Sequence, residues 1–334
     1  MRTRFFALAA LAALVPLAGL AANDSTAEHG AGGLVLKQSR EIDMVSEDLY
    51  VSAERVRVRY VFRNRAPRDV SVTVAFPMPD RDLAEDRYGD SAYPGDFATR
   101  VDGRPVAMQV ERRAVLGGAD HSALLRRLGV PLAPDDEGTG RIVAALEALP
   151  GAELARLRAL RLIEVDEFDG GQGWRREPVP AWTVRETWHW EQVFPTGHDL
   201  RVEHEYAPGT GGSVDVALAR AEYRNSDEGR REQAEYCTDR SFLAALDRAA
   251  IEAPRRGHGI SEQRLRYILT TGGNWRSPIG DFRLVVDKGR AENLVSFCGS
   301  GLRRISPTQF EMRRRNWRPD RDLAVLIVQR GGGD

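Results

Sequence analysis

The sequence predicts a mainly β protein, organised as two antiparallel β-sandwich domains with a helical insertion between them. Three observations carry this prediction. Apolar and polar residues alternate at period two through Val56–Phe62, Val70–Phe76 and Trp182–Phe194. Between Arg112 and Phe168 the apolar spacing lengthens to that of helices. Beyond that, short apolar runs recur with turn residues at regular intervals, as in a sandwich.

At the N-terminus, Arg2 and Arg4 precede an almost unbroken apolar run, Phe5 to Leu20. Gly19-Leu20-Ala21 and Leu20-Ala21-Ala22 each place a small residue before a cut, and Asn23-Asp24-Ser25 switches abruptly to polar. This pattern predicts a cleaved secretory signal over residues 1–22, with the mature chain starting at Ala22 or Asn23. The competing reading is an uncleaved anchor, but the run is short of the roughly 20 apolar residues a membrane helix needs. No later stretch reaches that length, so no transmembrane segment is expected after cleavage. The expected location is periplasmic or secreted.

Residues 23–112 read as the N-terminal sandwich. Gly33 to Gln38 and Met44 to Ser52 are weaker strands. Val56, Val58, Tyr60 and Phe62 then face Val70, Val72, Val74 and Phe76 in a hairpin closed by the polar turn Asn64 to Asp69. Phe97, Thr99 and Val101 lead into Asp102-Gly103 and then Val106, Met108 and Val110, the strongest short hairpin signal in the chain.

Residues 113–173 read as the helical insertion and linker. Asp120 caps a helix holding Leu124, Leu125 and Leu128. Ile142, Leu146 and Leu149 mark a second helical face, and Leu154, Leu157, Leu160 and Ile163 a third. Gly170 to Gly173 is the most linker-like segment.

Residues 174–334 read as the C-terminal sandwich, with a helical excursion at about 227–253. Placing Phe194 opposite Leu200 in a hairpin puts Trp190 across from His204 and Trp188 across from Tyr206, an aromatic ladder on one face. Later strands are expected over 264–271, 282–286, 294–298, 310–314 and 323–328.

Composition excludes several function classes. The 334 residues carry 48 Lys+Arg against 49 Asp+Glu, a balance that argues against a dedicated nucleic-acid binder. Lys37 and Lys288 are the only lysines, so 46 of the basic residues are arginine. Many lie on the polar parity of strands, as Arg55, Arg57 and Arg59 do. Arg313, Arg314 and Arg315 form the densest run and are the candidate contact for an anionic partner. Cys237 and Cys298 are the only cysteines, and export makes a disulfide between them the expected state.

No cofactor is expected. Gly299-Ser300-Gly301 lacks the spacing of a nucleophile elbow, the six histidines are scattered, and no glycine-rich phosphate loop follows a buried strand. Glu186 shares the apolar parity of Trp182, Val184 and Trp188, where a carboxylate must be paired, exposed at an edge or functional. The tryptophans of this strand are either core or a stacking platform. The binding candidates are therefore Trp188, Trp190, His204, Tyr206 and Glu186.

Several stretches also carry a resemblance. These are Asn23-Asp24-Ser25, Ser46-Glu47-Asp48-Leu49, Val74 to Pro79, Gln192 to Pro195, Tyr236 to Asp239, Asn274 to Ile279 and Ser296-Phe297-Cys298. Through them the chain resembles the bacterial domain-of-unknown-function family 4424. That resemblance implies an exported protein with immunoglobulin-like sandwich content and no established activity. A shorter likeness, over Tyr60–Pro79 and Phe97–Val110, is to the opening of the vault/inter-alpha-trypsin type of sandwich, an adhesive module. The expected function is a non-enzymatic module binding an envelope protein or glycan. The alternatives are a cell-wall hydrolase or transferase with its site between sandwich and helices, and a purely structural subunit.

Overall fold

A computed structural model describes residues 23–30, 33–84, 95–135, 138–169, 171, 173–255 and 257–331. The expected signal over 1–22 lies outside the described residues. The chain is mainly β, with several sheets and, among the described residues, six α-helices.

In chain order, the first strands are β1 (Ser25–Gly30), β2 (Gly33–Lys37), β3 (Ile42–Val51), β4 (Val56–Asn64) and β5 (Val70–Pro77). Next come β6 (Arg81–Asp82), β7 (Gly95–Val101), β8 (Arg104–Val106), β9 (Gln109–Leu116) and β10 (Ala119–Asp120). Helices α1 (Ser122–Arg127), α2 (Gly140–Glu147) and α3 (Gly151–Ala159) follow. Then come β11 (Ile163–Asp169), β12 (Trp174–Pro180), β13 (Thr183–Phe194), β14 (Asp199–Ala207) and β15 (Gly211–Ser213). Helices α4 (Ala221–Arg224), α5 (Asp227–Glu235) and α6 (Arg240–Arg255) precede β16 (Ile260–Tyr267) and β17 (Ile279–Asp287). The last strands are β18 (Leu294–Phe297), β19 (Arg303–Arg304), β20 (Gln309–Trp317) and β21 (Leu323–Arg330).

An eight-stranded sheet runs β19-β20-β17-β3-β4-β14-β7-β8. A seven-stranded sheet runs β10-β9-β13-β5-β1-β2, with β6 also on β13, and a four-stranded one runs β15-β16-β21-β18. Period two sets one apolar face on the eight-stranded sheet: Leu49, Val58, Tyr60, Val202 and Leu284 are all buried there. That face packs against Val74, Phe76 and Trp190 of the seven-stranded sheet and against Leu265, Tyr267 and Val325 of the four-stranded one, in one continuous core. Helices α1 to α3 cover a second core around Trp182 and Leu157. Helix α6 covers a third, where Phe242 and Leu246 meet Leu326 and Val328.

The strands do not pair as two separate sandwiches over 23–112 and 174–334. β13 lies between β5 and β9, β14 between β4 and β7, and β17 runs parallel to β3, so both segments contribute to both large sheets.

Two expected hairpins are instead crossings between sheets. β4 and β5 belong to different sheets, as do β13 and β14. The reason is local. The Asn64 side chain donates through Nδ2 to the carbonyls of Arg68 and Phe194, at 2.7 and 2.9 Å, and accepts from the Ala66 amide through Oδ1. At the second crossing Pro195 has no amide to continue a ladder. There Thr196 N donates to Asp69 Oδ1, and Thr196 Oγ1 to the Ala66 carbonyl. Asn64 and its surroundings therefore hold both corners. The Asp102-Gly103 hairpin does form between β7 and β8, with φ of 47° and 77° at its two turn residues.

The third expected helical face ends early, because Ile163 begins β11. β11 pairs with β12 from Ile163↔Pro180 to Asp169↔Trp174, so Gly171 and Gly173 connect a hairpin rather than two domains. Among the described residues no helix is long and apolar enough to cross a membrane.

Candidate functional site

Among the described residues, two clusters of polar groups form candidate sites, one sealed in the core and one on an open face. The sealed centre forms where β1 enters the core. Asn23, Asp24 and Ser25 are 0 % exposed, although the sequence there is polar. Trp275 Nε1 donates to the Asp24 carbonyl at 2.7 Å, and Asn274 Nδ2 to Ser25 Oγ at 3.0 Å. Asp24 Oδ1 lies 3.0 Å from His204 Nε2, and His204 Nδ1 lies 2.8 Å from Thr99 Oγ1. Glu47 alternates with Leu49 and Val51 on the inward face of β3, and its Oε2 accepts from Asn23 Nδ2 at 3.0 Å. The hydroxyls of Tyr60 and Tyr267 meet at 2.9 Å nearby.

Burial dominates the electrostatics of this centre. It pushes the Glu47 carboxyl up to about 8, against the bond from Asn23 and with the Asp24 charge adding to the rise. Burial likewise raises Asp24, while the attraction to His204 opposes it. Tyr60 and Tyr267 are pushed well above the ordinary phenol range for the same reason. Acid, imidazole and hydroxyl stand in the order of a nucleophile triad. However, Asp24, His204 and Thr99 are all buried, so no substrate reaches that hydroxyl.

Of the residues singled out in the sequence, His204 belongs to this centre, and Trp190, Tyr206 and Trp188 pack around it. Trp190 and Tyr206 are buried, and Trp188 is half-buried. Trp190 does meet His204, edge-on at 5.6 Å, but across two sheets rather than along one. Trp188 does not face Tyr206 directly: Phe97 stacks on Trp188 at 4.9 Å and on Tyr206 at 5.3 Å. Glu186 is buried, with Arg112 Nε at 2.6 Å on Oε2 and Trp188 Nε1 at 2.8 Å on Oε1. Asp24, Glu47, Thr99 and Thr271 were not singled out as functional. Glu47 carried the same signal as Glu186, a carboxylate on an apolar parity.

The open site lies on the outer face of the eight-stranded sheet. Cross-strand register sets Asp48, Arg283 and Arg313 in one row and Ser46, Asp281 and Arg315 in the next. With Arg314 they line an open groove of about 430 Å³. Glu311 anchors it, bonded to Arg283 at 2.8 Å, Arg303 at 2.5 Å and Arg313 at 3.0 Å. These three guanidiniums hold the Glu311 carboxyl at about 2, well below the usual range. Arg314 bonds Ser300, and Arg315 reaches Asp281 at 3.3 Å with its side chain 87 % exposed. Five guanidiniums thus stand against the carboxyl groups of Asp48, Asp281 and Glu311, and Glu47 also lines the groove. Cys237 and Cys298 are bonded to each other, tying the turn between α5 and α6 to the end of β18. Among the described residues no group of three or more His, Cys, Asp or Glu could hold a metal ion.

Among solved structures, the chain is similar to a candidate nutrient binding protein of Legionella pneumophila, with 16% identity and a TM-score of 0.43. That match covers 92% of this chain and 70% of the other. A second likeness is to an M1 zinc metallopeptidase of Deinococcus radiodurans, with 11% identity and a TM-score of 0.24. It covers 87% of this chain and 43% of that one. Neither is close enough to assign a fold or an activity. No curated protein matches the chain. One family does, over residues 22–326 and so nearly the whole length. The chain belongs to the family described as Domain of unknown function (DUF4424).

Proposed function

We propose that the protein is an exported, non-enzymatic binding module of the bacterial envelope, with immunoglobulin-like sandwich character, that takes an acidic protein or glycan on its arginine-lined face. The observation that carries this reading is the groove of Arg283, Arg313, Arg314 and Arg315, which is concave, uncovered and net positive in a chain of formal net charge −1. Guanidinium forks match carboxylate and phosphate in pairs, which favours a multivalent anion over a neutral one. Export is supported by the charged, apolar and then polar N-terminal pattern, and by a disulfide that an oxidising compartment preserves.

Titration of the purified protein with polygalacturonate, poly-glutamate and neutral dextran tests the reading. Binding to one of the two polyanions, weakened by salt and reduced about tenfold in Arg313→Ala/Arg315→Ala, is expected. Equal binding by the variant, or no retention of either polyanion at low salt, overturns it.

A further inference from the structure

We infer that the working protein begins at Asn23, and that the α-ammonium freed there is the counter-ion of the buried centre, paired with Glu47. Chain ends ordinarily lie on the surface, whereas Asn23 is wholly enclosed. Its amide donates to Thr271 Oγ1 at 2.7 Å, its carbonyl accepts from the same hydroxyl at 2.8 Å, and its Nδ2 reaches Glu47. Position 272 is cut to fit it: a Cβ on Gly272 would stand 2.7 Å from Asn23 Nδ2.

Without the Asn23 ammonium the two acids of this centre have one basic partner between them, and burial holds the Glu47 carboxyl up at about 8. Asp24 and Glu47 bring two carboxylates into the core. The titratable groups facing them are His204 from β14, Tyr60 from β4 and Tyr267 from β16. Of these only the imidazole can carry positive charge, and it is already bonded to Asp24. Among the described residues, nothing donates a hydrogen bond to three enclosed oxygens, Asn23 Oδ1, Asp24 Oδ2 and Glu47 Oε1. Leaving such atoms without donors is costly in a core.

A peptide nitrogen at position 23 has one hydrogen to give, and Thr271 takes it. An ammonium at the same place has three, together with a full charge, on the residue whose side chain already touches Glu47. Cleavage supplies it directly. One water hydrolyses the Ala22–Asn23 amide. Its oxygen adds to the Ala22 carbonyl carbon as the C–N bond breaks, and one of its protons goes to the leaving nitrogen. The other is passed from the new Ala22 carboxyl to the amine, leaving a carboxylate and the Asn23 ammonium. The inference rests on the export half of the proposed function and not on the arginine groove.

The test uses protein exported to the periplasm and purified in full length. Intact mass and N-terminal sequencing are expected to show a chain starting at Asn23. Export with a start at Ala22 or elsewhere overturns this inference alone, and retention of residues 1–22 overturns the export reading with it. Reductive methylation then reads the amine itself. Native protein is expected to label about 100-fold more slowly than the urea-unfolded chain, and equal rates overturn the pairing.

Two variants separate a charge pair from simple packing. An alanine inserted between Ala22 and Asn23, to leave one extra residue after processing, is expected to lower the thermal midpoint. Glu47→Gln is expected to lower the midpoint of the protein starting at Asn23 but not that of the extended one. An extended protein as stable as the parent, or Glu47→Gln acting equally on both, overturns the inference. If either variant does not fold, the labelling of the unaltered protein decides.

Discussion

Asp24 Oδ1 and His204 Nε2 stand 3.0 Å apart with neither side chain reaching solvent, joining residues 180 positions apart in the chain. Rings of Tyr60, Phe76, Phe97 and Trp190 surround the imidazole, so nothing else can replace its bond. Removing one partner leaves the other buried and unpaired. His204→Ala is expected to cost about 3–5 kcal/mol in urea unfolding. In a double-mutant cycle, Asp24→Ala on that background should cost at least about 1 kcal/mol less than it does alone. Additive losses would show that the pair does not act as a unit.

Close backbone approach makes a second set of outcomes. A Cβ on Gly280 would stand 2.4 Å from the Val45 carbonyl oxygen, at the irregularity where β3 shifts register between Met44 and Ser46. Backbone cannot step aside as a flexible side chain can. Gly280→Ala is therefore expected to destabilise by about 1–3 kcal/mol or more. Gly151, at the start of α3, has open space around its Cβ position. Gly151→Ala should be neutral or stabilising by up to about 1 kcal/mol. Denaturation midpoints of the two variants check the contrast.

Acid titration reads the anchor of the arginine groove. Glu311 is held at about 2, below its ordinary 4.5, by Arg313, Arg283 and Arg303. A depressed carboxyl contributes stability that is present above its unfolded value and is lost as pH falls through the folded one. The contribution should therefore fade between about pH 4.5 and pH 2. Arg303 and Arg313 are exposed, so solvent screening limits it to about 1–2 kcal/mol. Glu311→Gln should lose that amount at pH 7 and match the parent near pH 2. A gap between the two that is constant with pH would contradict the assignment.

Reduction tests the one disulfide. Cys237 and Cys298 are 61 residues apart, a loop worth about 4 kcal/mol in chain entropy. Thermal unfolding with and without a thiol reductant, beside the Cys237→Ser/Cys298→Ser variant, should show matching losses. The helices α5 and α6 should loosen first in hydrogen exchange, because the bond ties their turn to β18.

Much of the inward-facing surface was legible in the sequence. Val56, Val58, Tyr60 and Phe62 all point into the core as their alternation requires, and Arg57 and Arg59 point out. The Asp102-Gly103 turn and the three helical faces beginning at Leu124, Ile142 and Leu154 were also readable, because each depends on local chemistry. Strand partners were not. Alternation records which way a side chain points, not which strand lies beside it, so the corners at Asn64 and Pro195 looked like hairpin turns. The parallel pairing of β3 with β17 has no local mark at all. The sealed centre was half visible: Glu186 and Glu47 broke their apolar parities in the same way, but polar Asn23-Asp24-Ser25 gave no sign of burial. Their enclosure depends on Thr271 and Trp275, far away in the chain.

The interleaving of early and late strands also sets a schedule. β1 pairs early with β2 and β5, but the Asp24 carbonyl has no donor until Trp275 arrives, and β3 has no parallel neighbour until β17 does. A nascent chain emerging N-terminus first can pair its early strands locally, but the eight-stranded sheet and the core it shares with β16 and β21 are not complete until its last quarter has appeared. The same order means that cutting the gene between the first helices and β13 would yield two fragments, each lacking strands that the other supplies to both large sheets.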